Sequence, residues 1–311
     1  MARTFFQRAP GGFRTVRGEL IRKVQLVLKA GGFLDDIADG VYGNNTQAAL
    51  RKFQEQKQLA VSGNIDDQTW PALMGTAAPD LKQRCLQVTA DFEGTGFTKC
   101  VGNFDGAGLT WGIIGFTLKH GELGAMLTKI RATHPNTFSA AFGNLENKIV
   151  EVLSSSQTAQ MNFANSISIG SKKYQILPEW AAAFERLGSN EQVQAIQLER
   201  TEEYFNIAAR DVERFDVENE LGLALCFDIA VQNGGIDQTE GERIRNKVTQ
   251  TPPATPQALR KIIANVVAEN GNPTYIEDVR KRKLTIATSQ GTVHGSKYDL
   301  KSWGLDEIAA S

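Results

Sequence analysis

Two carboxylate residues stand near each other in the sequence, each beside a feature that could position it for chemistry. Glu93 lies at the predicted end of a helix, and Asp105 opens the glycine-rich segment 105–116, which reads DGAGLTWGIIGF. Cleavage of a glycosidic bond needs such a pair. One carboxyl must protonate the leaving oxygen, and the other must activate a water or stabilise the oxocarbenium ion. The pair therefore predicts a site that cleaves glycosidic bonds.

The elements that would position this pair are mainly helical. Apolar spacing predicts a helix over 81–92, directly before Glu93. Residues 96–103 are predicted as a hairpin and residues 109–116 as a strand. The segment 221–231 is apolar nearly all round apart from one aspartate, which is typical of a buried central helix. The predicted fold class is mainly α, with one small β-hairpin sheet and a separate small helical bundle.

The first quarter of the chain predicts a module of its own. Residues 18–75 contain three short helical patterns separated by glycine-containing turns, which predicts a three-helix bundle. Residues 1–17 are rich in arginine and contain Pro10-Gly11-Gly12, so they are predicted to be a flexible leader. Residues 76–80 are predicted as a linker, and residues 81–311 as the catalytic domain.

Composition excludes several classes of protein. The net charge is −1, which gives no general case for nucleic-acid binding. No apolar run is long enough to span a membrane, and the first residues lack the apolar core of a secretory signal. The three cysteines and three histidines lack metal-ligand spacing, so neither a metal nor a cofactor is expected. A monomer is expected.

The 18–75 segment resembles the peptidoglycan-binding three-helix module found on many wall hydrolases. The similarity rests on a set of short motifs spread over the segment: Val24-Gln25, Asp39-Gly-Val-Tyr-Gly43, Phe53-Gln54, Gly63-x-Ile65-Asp66 and Thr69-Trp70. The resemblance implies peptidoglycan as a partner. The turns around Asp39–Asn45 and Gly63–Asp66 are the predicted wall-binding surface, with Tyr42, Asn44 and Asn45 as its candidate contacts.

The second region resembles the chitosanases of glycoside hydrolase family 46, which belong with goose-type and phage lysozymes in a superfamily with a lysozyme-like α+β fold. The similarity rests on Glu93 at a helix end, the segment 105–116, and weaker segments around Phe227–Gly234, Arg282–Thr285 and Tyr298–Leu300. The resemblance implies that Glu93 is the general acid, that Asp105 is the general base, and that the Thr110 hydroxyl holds the attacking water.

Further substrate contacts are predicted at Trp111, Asp228 and Tyr298. For Asp228, a buried structural carboxylate paired with an arginine or lysine is the competing interpretation. The family resemblance implies inversion of configuration, which needs the two carboxyls to be roughly 6.5–9.5 Å apart. The spacer between Glu93 and Asp105 is shorter than in typical chitosanases, so retention and non-hydrolytic cleavage to an anhydro sugar stay open.

These features together predict a modular cell-wall lysin of phage type. The first module would hold peptidoglycan, and the second domain would cleave the glycan strand as a muramidase. Storage in the host cytoplasm and release onto periplasmic peptidoglycan are expected. Three alternatives stay open: a chitosanase or chitinase with an accessory wall module, a lytic transglycosylase, and a non-enzymatic wall-binding phage component. A zinc amidase or a peptidase is disfavoured, since no suitable zinc set or Cys/His pair is found.

Overall fold

The computed structural model describes residues 3–94, 96–270, 273 and 275–309, and these are mainly helical. The helices, in chain order, are α1 Glu19–Ala30, α2 Asn44–Gln56, α3 Thr69–Met74, α4 Leu81–Glu93, α5 Glu122–Thr133, α6 Pro135–Phe142, α7 Glu146–Leu153, α8 Gln157–Ile167, α9 Pro178–Gly188, α10 Glu191–Phe215, α11 Glu220–Asn233, α12 Gln238–Gln250, α13 Pro256–Glu269 and α14 Ile276–Ala287. Short 3-10 helices cover Gly143–Leu145 and Leu300–Trp303. The predicted mainly helical fold class is confirmed.

The strands are short and all pair antiparallel. They are β1 Thr4–Phe6, β2 Ile65–Asp66, β3 Cys100–Val101, β4 Thr110–Trp111, β5 Phe116–Thr117, β6 Ser168–Ile169, β7 Gln175–Ile176, β8 Gln290–Val293 and β9 Ser296–Asp299. Strands β3, β4 and β5 form a three-stranded sheet in that order, and the other strands pair as β1–β2, β6–β7 and β8–β9. None of the helices described above has the length and apolar content that a bilayer crossing requires.

The chain divides into two compact units, and the division differs from the predicted linker at 76–80. One unit combines Met1–Phe92 with Glu203–Ser311, and the other is Glu93–Glu202. In the first unit the N-terminal bundle groups with the C-terminal helices, because strand β1 packs on the 3-10 helix Leu300–Trp303.

The first unit contains the three-helix bundle formed by α1, α2 and α3. Its core is made by apolar residues that are almost completely buried: Ile21, Val24, Leu28, Leu50, Phe53 and Trp70. These residues recur at helical spacing in the sequence, so each helix places them on the face that points inward.

Gln25 on α1 holds the turn that follows that helix. Its side chain is 2% exposed. The amide Nε2 donates to the Val41 carbonyl at 3.0 Å, and Oε1 accepts from the Gly40 N–H at 2.6 Å. Since a buried amide must find partners, Gln25 fixes the backbone of the turn from inside the bundle.

Gln54 on α2 does the same for the next turn. Its side chain is fully buried. It accepts from the Gly63 N–H at 2.8 Å and donates to the Asn64 carbonyl at 2.9 Å. Gln25 and Gln54, which belong to the motifs that resemble the peptidoglycan-binding module, therefore support the turns of the bundle.

The first residues of the chain differ from the flexible leader that the sequence predicted. Thr4–Phe6 form a strand, and Phe5 and Phe6 are buried. Arg3 pairs with the buried carboxylate of Glu220. Arg14 donates from Nη2 to Asp91 Oδ1 at 2.8 Å. The burial of two phenylalanines and the two arginine–carboxylate pairs order a segment whose local composition favours disorder.

A buried charge cluster joins α11 to α14 in the same unit. Asp228 and Lys283 are fully buried and Arg282 is 3% exposed. The Asp228 carboxylate accepts from Arg282 Nη2 at 2.7 Å and from Lys283 Nζ at 2.7 Å. Burial alone would raise the pKa of Asp228, but the charges and hydrogen bonds of Arg282 and Lys283 together lower it to about 2. The cluster therefore stays ionised and fully paired.

The second unit surrounds an aromatic core. Trp111 on β4 lies against Phe184 on α9, with ring centroids 5.5 Å apart. Phe142 packs on Phe184 at 5.5 Å with its ring nearly perpendicular. Such edge-to-face contacts add to the free energy that burial of the rings supplies. This core anchors the three-stranded sheet that contains Thr110 on β4 and holds the turn with Asp105 between β3 and β4.

Candidate active site

Glu93 is the last residue of α4, as the sequence predicted within one residue, and its side chain is partly buried. Gly94 follows with φ 70° and ends the helix. Because a carboxylate at a helix C-terminus opposes the helix dipole, this position does not favour a charged side chain on structural grounds.

Residues 109–116 were predicted as one strand, and the structure shows a hairpin instead. Strand β4 pairs with β5 so that Thr110 lies opposite Thr117 and Trp111 lies opposite Phe116. Gly112 and Gly115 adopt φ 93° and 74°, which reverse the chain between the strands. Side chains at these two positions would be strained, so the two glycines determine the hairpin.

The hairpin turn brings Thr110 and Glu93 to the same place. A Cβ built on Gly115 would lie 3.2 Å from Thr110 Cγ2 and 3.8 Å from Glu93 Oε2. Both side chains therefore border the empty space above Gly115. The Thr110 methyl group and the Glu93 carboxylate therefore lie within reach of the same glycine, which brings these two predicted site residues together.

Gly115→Ala is expected to lower the rate of glycosidic bond cleavage while the protein still folds. The added methyl group would press on Thr110 Cγ2 at 3.2 Å and would reach van der Waals contact with Glu93 Oε2 at 3.8 Å, and the positive φ adds roughly 1 kcal/mol of strain. The matched control is Gly121→Ala, since Gly121 has φ 79° and no atom within 4 Å of a built Cβ. Both variants should lose similar stability in thermal unfolding. Equal catalytic rates for the two variants would contradict the placement of Glu93 and Thr110 around Gly115.

Asp105 is exposed and starts a tight turn. Its Oδ1 accepts from the Ala107 N–H at 2.9 Å, and Gly106 and Gly108 have φ 86° and 82°. This arrangement is typical of an Asx turn, which fixes the direction of the carboxylate. The side chain is accessible to water, as a general base requires.

Asn103 braces this turn and was not singled out by the sequence reasoning. Its Oδ1 accepts from the Gly108 N–H at 2.9 Å, and its Nδ2 donates to Asn165 Oδ1 at 3.0 Å. The Asn103 N–H donates to Ser168 Oγ at 2.9 Å. The turn is therefore tied to helix α8 and strand β6 by side chains that carry no catalytic signature in the sequence.

Gln197 braces the hairpin from the other side and was also missed. This glutamine on α10 is fully buried. Its Oε1 accepts from the Ile113 N–H at 3.0 Å, and its Nε2 donates to the Phe97 carbonyl at 3.0 Å. One buried amide thus connects the β4–β5 turn to the segment before β3, and a lone glutamine in an otherwise ordinary helix gives no signal of this role.

Three predicted substrate contacts are buried, so those predictions were wrong. Trp111 is fully buried and its indole N–H donates to the Thr98 carbonyl at 3.1 Å. It points away from Thr110 because neighbouring residues in a strand face opposite sides. Asp228 belongs to the buried charge cluster. Tyr298 is 2% exposed and donates to Asp91 Oδ2 at 2.6 Å.

The predicted wall-binding residues separate into two kinds. Tyr42 is fully buried and its hydroxyl donates to the Gly63 carbonyl, so it belongs to the core of the bundle and its predicted wall contact is wrong. Asn44 and Asn45 are exposed and line an open cavity of about 310 Å³ in the first unit. Asn45 Nδ2 donates to Asp36 Oδ2 at 2.8 Å, so this cavity has a polar wall.

Among the residues described, no group of three or more His, Cys, Asp or Glu side chains could hold a metal ion. Cys85, Cys100 and Cys226 are free and buried, and burial raises the pKa of each thiol. A buried thiol with a raised pKa is inert as a nucleophile at neutral pH.

Comparison with known protein families assigns both parts of the chain. Residues 17–73 match the family model of a peptidoglycan-binding domain. Residues 95–260, which are more than half of the chain, match the model of glycosyl hydrolase family 46. The chain belongs to glycosyl hydrolase family 46. The family 46 match includes Asp105 and Thr110, while Glu93 lies two residues before its start.

A solved structure supports the fold of this family 46 protein. It is the family 46 chitosanase of Gynuella sunshinyii in complex with chitotetraose, with a TM-score of 0.50 and 15% sequence identity. The alignment covers 72% of this chain and 98% of the chitosanase chain. At this identity the likeness shows a common fold. The comparison with curated proteins gave no match.

The modular arrangement and the enzyme class predicted from the sequence are both confirmed. This family 46 protein is a glycoside hydrolase with a peptidoglycan-binding module at its N-terminal end. The partly buried Glu93 and the exposed Asp105 are the carboxylates that the candidate site offers for that chemistry.

Proposed function

We propose that this family 46 protein cleaves the glycan strand of peptidoglycan as a muramidase-type lysin. The observation that supports this substrate best is the peptidoglycan-binding domain on the same chain as the hydrolase domain. A module that holds the enzyme on an insoluble polymer raises the local concentration of cleavable bonds. In this proposal the enzyme is a phage endolysin that is stored in the host cytoplasm and acts on periplasmic peptidoglycan after its release.

Glu93 is the general acid and Asp105 the general base in this proposal. Glu93 donates its proton to the glycosidic oxygen as the bond to the anomeric carbon breaks. Asp105 accepts a proton from the water that attacks that carbon, and the Thr110 hydroxyl holds this water. After one turnover Glu93 is ionised and Asp105 is protonated, so exchange with solvent restores both groups. This scheme is that of an inverting hydrolase.

Charge around the site favours peptidoglycan over chitosan. Residues 93–202 contain ten Asp and Glu against nine Lys and Arg, so this unit is nearly neutral. Chitosan carries an ammonium on each deacetylated sugar, and its binding site should have a clear excess of carboxylates. Three of the nine cations, Lys99, Lys172 and Lys173, are exposed in the unit that contains Asp105. A glycan with neutral sugars and acidic peptide substituents suits this unit better.

Chitosan hydrolysis is the second candidate function. The family description and the bound chitotetraose in the Gynuella sunshinyii structure favour it. The two candidates differ in substrate charge and in the products that they release, so one experiment can separate them.

The deciding experiment is a parallel digestion of purified Gram-negative peptidoglycan and of chitosan by wild type and Glu93→Gln, with products identified by mass spectrometry. The proposal expects reducing N-acetylmuramic acid ends from peptidoglycan with wild type alone. Anhydro ends would indicate a lytic transglycosylase and remove the need for Asp105 as a base. Cleavage of chitosan only would establish the second candidate, and no cleavage of either polymer would favour a non-enzymatic wall-binding role.

The wall-binding role of the 39–45 turn predicts that Asn44→Ala combined with Asn45→Ala weakens binding to walls. Both side chains are exposed at the polar cavity and neither lies in the core, so the module should still fold. Pelleting with purified walls measures the effect, and we expect at least about tenfold weaker binding. Asn147→Ala on α7 is the control, since Asn147 is exposed in the other unit. Unchanged pelleting of the double variant would move the binding surface elsewhere on the module.

A deletion of residues 1–78 would not test the module cleanly. Arg3 and Arg14 pair with Glu220 and Asp91, and Phe5 and Phe6 are buried in the same unit. Their removal would take one arginine partner from each carboxylate and uncover the apolar surface that the two phenylalanines bury, so lost activity could not be told from lost stability. Point substitutions at the exposed turn avoid this difficulty.

A further inference from the structure

We propose that Phe104 and Tyr174, together with Lys99 and Lys173, form a glycan subsite next to the catalytic turn. The subsite would take an N-acetylated sugar whose substituent ends in a carboxylate, as in the peptide-bearing sugar of peptidoglycan. This inference rests on the proposed function and names the substrate group that the site distinguishes. We call these four residues the aromatic–lysine subsite.

The two aromatic rings are exposed beside the turn that Asp105 begins. Phe104 directly precedes Asp105 in the chain and is 48% exposed, and Tyr174 is 39% exposed. Their ring centroids lie 5.2 Å apart with an interplanar angle of 61°. Paired exposed aromatic rings leave an apolar surface in water, which is typical of a binding surface. The apolar C–H face of a sugar ring suits such a surface.

The backbone holds the aromatic pair and the catalytic turn in one framework. The Gly102 N–H donates to the Tyr174 carbonyl at 2.9 Å, and the Phe104 N–H donates to the Gly102 carbonyl at 2.9 Å. A Cβ on Gly102 would lie 2.5 Å from the Lys173 carbonyl oxygen, so only glycine permits this close approach. A sugar stacked on the rings would therefore meet a preformed surface, which lowers the entropic cost of binding.

The two lysines give this surface its charge preference. Lys99 Nζ lies 4.9 Å from the centroid of the Tyr174 ring and 3.0 Å from its hydroxyl oxygen. Lys173 Nζ donates to Asn165 Oδ1 at 2.9 Å. The partners of both ammonium groups in the described residues are uncharged, so both can attract a carboxylate. The ammonium groups of chitosan would be repelled at the same place.

The conformation of Lys173 is consistent with a role beyond solubility. Its φ is 52°, in the left-handed region that lysine rarely adopts. The Lys173 N–H donates to the Gly170 carbonyl at 3.1 Å, which closes the turn between β6 and β7. The strained backbone directs this turn, and Tyr174 with it, toward the segment that contains Gly102.

The test compares three variants on soluble, uncrosslinked peptidoglycan strands: Phe104→Ala, Tyr174→Ala, and Lys99→Gln combined with Lys173→Gln. Each aromatic variant should lose about tenfold in kcat/KM, mainly through a higher KM, because stacking contributes to binding. The lysine variant should lose affinity for peptide-bearing strands and keep its affinity for N-acetylglucosamine oligomers of equal length. Tyr275→Ala is the control, since Tyr275 is 59% exposed in the other unit.

Two results would overturn the subsite. The first is aromatic variants whose kcat/KM stays within twofold of wild type. The second is a lysine variant whose binding of both glycans is weakened equally, since the lysines would then not recognise the carboxylate.

Binding to the Glu93→Gln background separates this inference from the proposed function. Calorimetric titration with a soluble peptidoglycan fragment, compared between Glu93→Gln and Glu93→Gln with Tyr174→Ala, measures the contribution of the subsite without turnover, because binding by the N-terminal module is common to both proteins. If wild type cleaves no peptidoglycan but Glu93→Gln binds the fragment more tightly than the variant that also carries Tyr174→Ala, the proposed function fails and the subsite stands. If wild type cleaves and the aromatic variants bind and cleave normally, the subsite fails and the function stands. If the protein does not bind the fragment, the subsite is also wrong.

Discussion

Glu93→Gln is expected to lower the rate of glycan cleavage by at least about 100-fold, the usual scale for removing a general acid. Glutamine has nearly the same shape as glutamate, so it keeps the contacts at the end of α4 but cannot donate a proton to the glycosidic oxygen. Glu93 is partly buried at the C-terminal end of a helix, so the loss of its negative charge should cost little stability. Release of reducing ends from purified walls measures the effect.

The control for this experiment is Glu151→Gln in the same unit. Glu151 forms a surface ion pair with Lys148, and its side chain is 68% exposed. Its replacement should leave the rate unchanged, since surface pairs contribute little. Pelleting with walls should be normal for both variants, because the wall-binding module is untouched. Lysis by Glu93→Gln at the rate of the control would show that another group donates the proton.

Asp105→Asn extends the same experiment to the mechanism. A hydrolase with Asp105 as base should lose about as much rate as after Glu93→Gln. An Asp105→Asn enzyme that stays active and releases anhydro ends would assign the chemistry to Glu93 alone. Among the described residues, the exposed Asp105 side chain contacts only its own turn, so misfolding would not explain a lost rate.

The second large effect is expected for Asp228→Ala, in stability and not in catalysis. The substitution leaves Arg282 and Lys283 buried without their shared carboxylate, and breaking such a pair costs about 3–5 kcal/mol. Denaturant unfolding measures the change in the free energy of unfolding. Asp278→Ala is the control, because Asp278 and its partner His294 are each about half exposed and should contribute at most about 1 kcal/mol.

The same cluster predicts an acid dependence. The pKa of Asp228 is lowered from 3.8 to about 2 in the folded protein, so its contribution to stability is complete above the unfolded value. That contribution should disappear as the pH falls from 3.8 toward 2, and Asp228→Ala should lack this part of the acid dependence. A variant that keeps wild-type stability but loses activity would return Asp228 to the substrate contacts that the sequence suggested.

Local patterns predicted the elements whose contacts lie near in sequence. Helix α4 was predicted from apolar spacing and confirmed to within a residue, and the buried helix 221–231 lies within α11. The three-helix bundle likewise follows from the spacing of its own core residues. In each case the residues that decide the structure belong to the element or to its immediate neighbours.

The sequence-based predictions that the structure contradicts concern residues whose contacts are distant in sequence. Trp111 and Tyr42 are large aromatic residues beside candidate functional residues, and their burial depends on Phe184 and Gly63, which are distant in sequence. The ordering of the first residues depends on Glu220, 217 positions away from Arg3. The alternation of side chains along a strand predicts that Trp111 and Thr110 face opposite sides of the sheet. No periodicity in the sequence indicates that Asn103 and Gln197 hold the turn and the hairpin.

The two buried glutamines of the bundle support its turns from inside and leave the neighbouring surface positions open to change. Gln25 and Gln54 hold the backbones of their turns, so the exposed side chains at positions 44 and 45 contribute little to the fold beyond the surface hydrogen bond from Asn45 to Asp36. Libraries randomised at these two positions should therefore fold as well as the natural chain. Selection of such libraries on walls of different composition would then change which walls the enzyme binds and leave the hydrolase domain unaltered.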